Sequence, residues 1–200
     1  MKKLLSVFAA IVSVLGMAGV SKALVLDFED LYPGYESYGP IPSGYKGFNW
    51  SSKAYWITDK YHPGSGYDYG TIGNVSLFTA YAADISMSDG YWDFNGAYIT
   101  AAWNTGQDVT VEGWRDGSLI YSTTIIISYN GPYWFDFNYE NIDTVWFRPG
   151  DSGTNAGLGG YGHHIVIDNI DVTPIPEPAT LFLLGSGLIG LAGIGRRKFK

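Results

Sequence analysis

The chain has 200 residues, a formal net charge of −7 and no cysteine, and it is rich in rings, with 7 Trp, 16 Tyr and 10 Phe. Without thiols it has no disulfide staples, no thiolate metal ligands and no cysteine nucleophile. Its acidic balance excludes nucleic acid and anionic lipid heads as partners held by charge.

Met1 is followed by Lys2 and Lys3, an apolar run from Leu4 to Val20, and Ser21-Lys22-Ala23. The charged, apolar and small-residue regions of a secretory signal peptide stand here in order. Signal peptidase is expected to cut after Ala23, so residues 1–23 are the leader and Leu24 begins the mature chain.

Residues 24–173 are enough for one domain with its own core. All of the 19 acidic residues except Glu177 fall in this body, against only Lys46, Lys53, Lys60, Arg115 and Arg148 as basic residues. It is therefore far more acidic than the whole-chain charge suggests. Helical periodicity is hard to find, whereas alternating or β-branched runs recur about every ten residues. Strands are expected at 24–28, 47–50, 75–81, 97–103, 109–114, 119–128, 133–137, 143–148 and 164–172. The clearest signal is Asp116-Gly117 between two alternating runs, because a tight hairpin turn needs residues tolerant of positive φ. Trp103, Trp114 and Trp146, lying within strands, are expected in the core. Eight or nine short strands without a long helix predict an all-β fold, a two-sheet β-sandwich. Two segments break the rhythm, 53–73 and the Gly-rich 150–162, and loops this long are usually functional or disordered.

Rings in or beside loops are Tyr61, Tyr67, Tyr69, Tyr91, Trp92, Tyr133, Trp134 and Tyr161. Flat rings stack on sugar faces while polar neighbours bond hydroxyls. Tyr67, Tyr69 and Tyr161 are the candidate ligand-binding residues. His62, His163 and His164 lack a metal-ligand spacing, and on a strand His163 and His164 would point to opposite faces. No pair of carboxylates stands out for glycoside hydrolysis, and no hydrolase motif is present. Catalytic residues are therefore not assigned.

The C-terminal tail mirrors the leader. Pro174-Ile175-Pro176-Glu177-Pro178 precedes an apolar stretch from Ala179 to Ile194, followed by Arg196, Arg197, Lys198 and Lys200. The prolines mark where a helix begins. A transmembrane helix over 179–194 rises about 24 Å, and thinning or snorkelling can match it to a ~30 Å hydrocarbon core. The basic cluster is expected on the cytoplasmic side, with everything before Pro174 outside the inner membrane.

Pro176-Glu177-Pro178, the Gly-rich apolar helix and Arg196-Arg197 resemble a PEP-CTERM sorting signal over residues 174–200. That resemblance implies recognition by an exosortase, a membrane transpeptidase-like enzyme of Gram-negative bacteria that make exopolysaccharide, with cleavage near Pro-Glu-Pro. It implies transient anchoring in the inner membrane and then the cell surface or the extracellular matrix of a biofilm. A C-terminal anchor that is never processed is the other reading of the same residues.

The body resembles the galactose-binding type of jelly roll found in carbohydrate-binding modules. The residues that carry the likeness are Leu26-Asp27-Phe28-Glu29-Asp30-Leu31, the hairpin 109–128, and Ile165-Val166-Ile167-Asp168-Asn169-Ile170. By that resemblance a structural Ca²⁺ is expected where the first and last strands meet, held by Glu29 and Asp168; hard oxygen ligands suit that ion. As residues alone, the same carboxylates fit turn caps or a solvated surface equally well. The resulting expectation is a non-catalytic surface or matrix protein that binds neutral polysaccharide or other matrix components. A secreted glycan-active enzyme and a purely structural surface protein are the alternatives.

Overall fold

β-Branched and aromatic residues alternating with polar ones produce an all-β molecule, described for residues 22–175 in a computed structural model. The leader up to Ser21 and everything from Pro176 onward lie outside the described residues. This covers the apolar stretch 179–194 and the sorting residues Pro176, Glu177, Pro178, Arg196 and Arg197. Among the described residues no helix is long and apolar enough to cross a membrane.

The strands are β1 (Leu24–Leu26), β2 (Tyr38–Pro40), β3 (Asn49–Trp50), β4 (Ala54–Thr58), β5 (Val75–Thr79), β6 (Ile85–Ala101), β7 (Asn104–Arg115), β8 (Ser118–Ser128), β9 (Tyr133–Pro149), β10 (Thr154–Asn155) and β11 (Ile165–Pro174). One short helix, α1 (Gly66–Gly70), lies between β4 and β5. The strands form one sheet, ordered β10-β7-β9-β6-β11-β5-β4-β2, with β1 beside β11, β3 beside β6 and β8 beside β7. Every pairing is antiparallel. The ladder runs unbroken through all eleven strands, where the sequence reading anticipated two sheets.

The reason lies in β6 and β9, each 17 residues long. The segments 133–137 and 143–148, expected as separate strands, are the two ends of β9, and 97–101 is the end of β6. Register shifts at Ser88/Trp92, Trp92/Phe94 and Phe94/Gly96 mark bulges or irregularities in this pair. Bulges bend and twist a ladder without ending it. The sheet thereby curls over its own apolar face. Ile127 of β8 and Leu77 of β5, far apart in strand order, belong to one buried cluster with Phe94, Ile142 and Phe147. Asp116 (φ 51°) and Gly117 (φ 73°) make the expected hairpin turn and set Arg115 opposite Ser118.

Two of the three strand tryptophans face outward instead of filling the core. Trp114 donates from Nε1 to Glu112 at 2.9 Å, and the Arg148 guanidinium lies 4.7 Å from the Trp146 ring centroid while its Nε donates to Glu112. Both rings are half-buried on an outer polar ladder. The large buried indole is Trp92, 2% exposed, which the sequence reading had placed among the loop rings.

Candidate functional site

A second, smaller apolar cluster forms on the other face of β4, β5 and β11. Side chains alternate across a strand, so with Leu77 and Ile167 turned into the main core, Phe78 and Val166 turn away from it. Register then aligns two rows on this face: Tyr55, Phe78 and Val166 in one, Tyr38, Ile57 and Ser76 in the other.

The segment leading into α1 covers those rows. Ser65 caps the helix by accepting from the Tyr67 N–H at 3.2 Å, and the Asp68 carboxylate accepts from Gly64 N and pairs with Lys60. Gly66 and Gly70, four apart and so on one helix face, lie directly on β6. A Cβ on Gly66 would collide with the Ala101 carbonyl, and one on Gly70 would stand 2.7 Å from Thr100 Cβ. This close approach sets the Tyr67 ring edge-on to both Phe78 and Trp103, with ring centroids 5.4 Å apart in each case.

From the other side comes the Gly-rich loop. Gly160 rests on the Trp103 indole with no room for a Cβ. Asn155 fixes the loop from within, accepting from Gly157 N and donating to the Gly160 carbonyl at 2.8 and 2.9 Å. His163 and His164 lie just before β11 and diverge. The first meets Asn104, while the second lines the space beneath the loop. His164 Nδ1 lies 2.7 Å from the Thr79 carbonyl, shorter than its 3.3 Å contact with Ala82 N–H, so the proton sits on Nδ1 and Nε2 is left as an acceptor.

These parts enclose a cavity of about 680 Å³. Its floor is Ile57, Tyr67, Phe78 and Trp103, all buried, and its rim carries the exposed rings of Tyr38, Tyr61, Tyr81 and Tyr161. No Asp, Glu, Lys or Arg lines it. Lost hydration holds both His62 and His164 below the usual histidine range, so both are neutral at pH 7. Burial pushes the Tyr67 phenol well above its ordinary value. Tyr67 is only 3% exposed, yet its hydroxyl has no hydrogen-bond partner among the described residues. The cavity therefore offers apolar ring faces, several phenols, two neutral imidazoles and the unpartnered Tyr67 hydroxyl.

Of the three tyrosines proposed from sequence, the structure brings Tyr67 and Tyr161 to this cavity and leaves Tyr69 outside, 6.3 Å from Tyr129. Tyr91, Tyr133 and Trp134 are bound to Asp116, Asn130 and Asp136 elsewhere. Sequence reasoning missed Tyr38, Tyr55, Phe78, Tyr81 and the cavity role of Trp103. A run of four ring and β-branched residues, Tyr55, Trp56, Ile57 and Thr58, was the available signal for β4.

Glu29 and Asp168 lie away from the cavity but support it. β1 pairs with β11, Leu24 opposite Val172, so the two carboxylates flank the turn between α1 and β5. Glu29 accepts from the N–H groups of Asn74 and Val75 at 2.7 and 3.0 Å and from the Asn74 side chain at 2.9 Å. Asp168 accepts from Ile72 N and Asn169 N, both at 2.7 Å. The lone pairs a calcium ion would need face N–H donors, and no group of three His, Cys, Asp or Glu among the described residues is placed to hold a metal. In this structure the pair clamps the backbone amides of the turn. Burial, aided by the nearby charges of Glu29 and Asp27, pushes the Asp168 carboxyl up to about 8.

Fold and cavity together define a β-rich domain with a neutral aromatic site. Residues 174–198 match the PEP-CTERM protein-sorting motif. This motif is a recognition signal for exosortase processing and marks an exported protein processed at the membrane. No curated protein matches the sequence. Among solved structures, a DUF4465 family protein from Bacteroides ovatus is similar at TM-score 0.45 and 8% identity, over 79% of this chain and 91% of that one. TmCBM61 in complex with β-1,4-galactotriose gives 0.33 and 12%, over 73% and 92%. A CBM4 structure gives 0.29 and 19%, over 80% and 83%. At these TM-scores the likenesses carry no weight for ligand or mechanism.

Proposed function

We propose that the domain is a non-catalytic glycan-binding module, exported and then held at the cell surface or in the extracellular matrix, and that its ligand is a neutral polysaccharide. The observation that carries this reading is the uncharged aromatic cavity with the unpartnered Tyr67 hydroxyl in its floor. A pyranose presents an apolar face for stacking and hydroxyls that pair with phenols, imidazoles and loop carbonyls. An anionic sugar would find no cation here.

Isothermal titration against neutral polysaccharides, exopolysaccharide of the host included, tests the reading. Binding is expected to change little between low and high salt, since no charge lines the cavity. Tyr161→Ala, removing a ring that is 86% exposed, should weaken binding severalfold at unchanged stability. Salt-sensitive binding, or release of reducing sugar by the purified protein, overturns it.

A further inference from the structure

β8 is an edge of an uncommon kind. It pairs with β7 on one side and with no other strand among the described residues. Natural sheets blunt their edges with short strands, proline or charge. The other marginal strands obey: β1 and β2 have three residues each, β2 ends in Pro40, and β3 and β10 have two. β8 has eleven residues, with no proline and no charged side chain, and its one blunting device, a bulge at Ile120, lies near its start and leaves the stretch beyond it regular. Leu119, Ile120 and Ile126 on it are 49%, 39% and 63% exposed.

The order of its residues is the same from either end. Ser118 is followed by three apolar residues, Leu119-Ile120-Tyr121, then by three hydroxyls, Ser122-Thr123-Thr124, then by Ile125-Ile126-Ile127 and Ser128. Ile120 is the extra residue of an irregularity in which Gly113 faces Tyr121 and Trp114 faces Leu119. Within the regular stretch beyond it, an antiparallel pairing of β8 with itself, centred on Thr123, sets Tyr121 opposite Ile125 and Ser122 opposite Thr124. Tyr121 then meets Ile125 of the second copy twice, once on each side of the axis, with the 63% exposed Ile126 beside the seam. Cross-strand pairs of matched character are the unit of sheet stability, and a two-fold axis needs such a self-complementary patch.

Charge selects the same place. Residues 24–173 hold 18 acidic and 5 basic residues, a net −13, so two copies repel over most of their surfaces. β8 is a long stretch at which they approach without opposing like charges. We propose that β8 is a self-association edge through which two copies of this chain join their sheets across a two-fold axis at Thr123.

The exported full chain tests this directly. Because it has no cysteine, Thr123→Cys places a single thiol on the proposed axis. Mild oxidation should give a covalent dimer much faster than for Ser43→Cys, an exposed site on another segment. In sedimentation, the wild-type chain should dimerise with rising concentration, and Ile126→Lys should weaken the dimer by ~10-fold or more at an unchanged monomer melting midpoint. A chain that stays monomeric, a dimer untouched by Ile126→Lys, or equal cross-linking of the two cysteine variants overturns the proposal.

Discussion

The Tyr67 hydroxyl separates binding from folding. A hydroxyl that bonds no protein group contributes little to stability, and removing it is close to neutral. Tyr67→Phe should therefore melt at or slightly above the wild-type midpoint, yet bind polysaccharide about 3- to 10-fold more weakly, the value of one hydrogen bond. Equal binding by the two proteins in a titration would remove Tyr67 from the ligand site. Asp168 offers the reverse case, a group whose burial is tolerated only in its neutral form. Its folded pKa, about 8, lies above the unfolded value, so its contribution is fully present below about pH 4 and is lost as pH rises toward 8. Thermal melts in EDTA should show the midpoint falling across that window, and Asp168→Asn should flatten the fall while giving up one N–H bond. The calcium expectation is tested in the same way: a midpoint that rises on adding Ca²⁺, and no longer does so in Glu29→Ala, supports it, and an unchanged midpoint removes it.

At the scale of elements, the cavity depends on backbone packed against rings. Gly160→Ala would drive a methyl group into the Trp103 indole, so the loop must lift and its Tyr161 must move with it. The expected result is loss of glycan binding with a melting midpoint close to wild type, because the loop holds no main-core residue; unaltered binding would show that the loop takes no part. Elements were legible in the sequence where local chemistry determined them. Asp116-Gly117 announced the β7–β8 hairpin because a two-residue turn demands positive φ. Continuity was not legible, since bulges carry β6 and β9 across residues that read locally as strand breaks. β4 was hidden because glycine, proline and polar residues after Thr58 gave the whole segment the composition of a loop. Trp114 misled for another reason: alternation reveals that two faces exist, and only tertiary packing determines which one is covered. The cavity was half visible, through Tyr67 and Tyr161, because its remaining walls come from strands whose register the sequence does not state.

For the whole molecule, export and the acidic surface belong together. Basic residues are concentrated in the two ends, and processing that removes both would leave a strongly acidic body suited to remain dispersed among neutral polymers. Intact mass of the surface-associated protein should correspond to a chain starting at Leu24 and ending near Pro176-Glu177-Pro178. A species keeping Met1 or the Arg196–Lys200 end would argue for retention in the membrane. The pairing of Leu24 with Val172 has one more consequence. The points where the chain enters and leaves the domain are neighbours across a single ladder rung, so the domain is topologically close to a ring. A short linker between residues 173 and 24, with the chain reopened at the Asp116-Gly117 turn, would give a circular permutant in which the same sheet, cavity and amide clamp are built from a rearranged chain order.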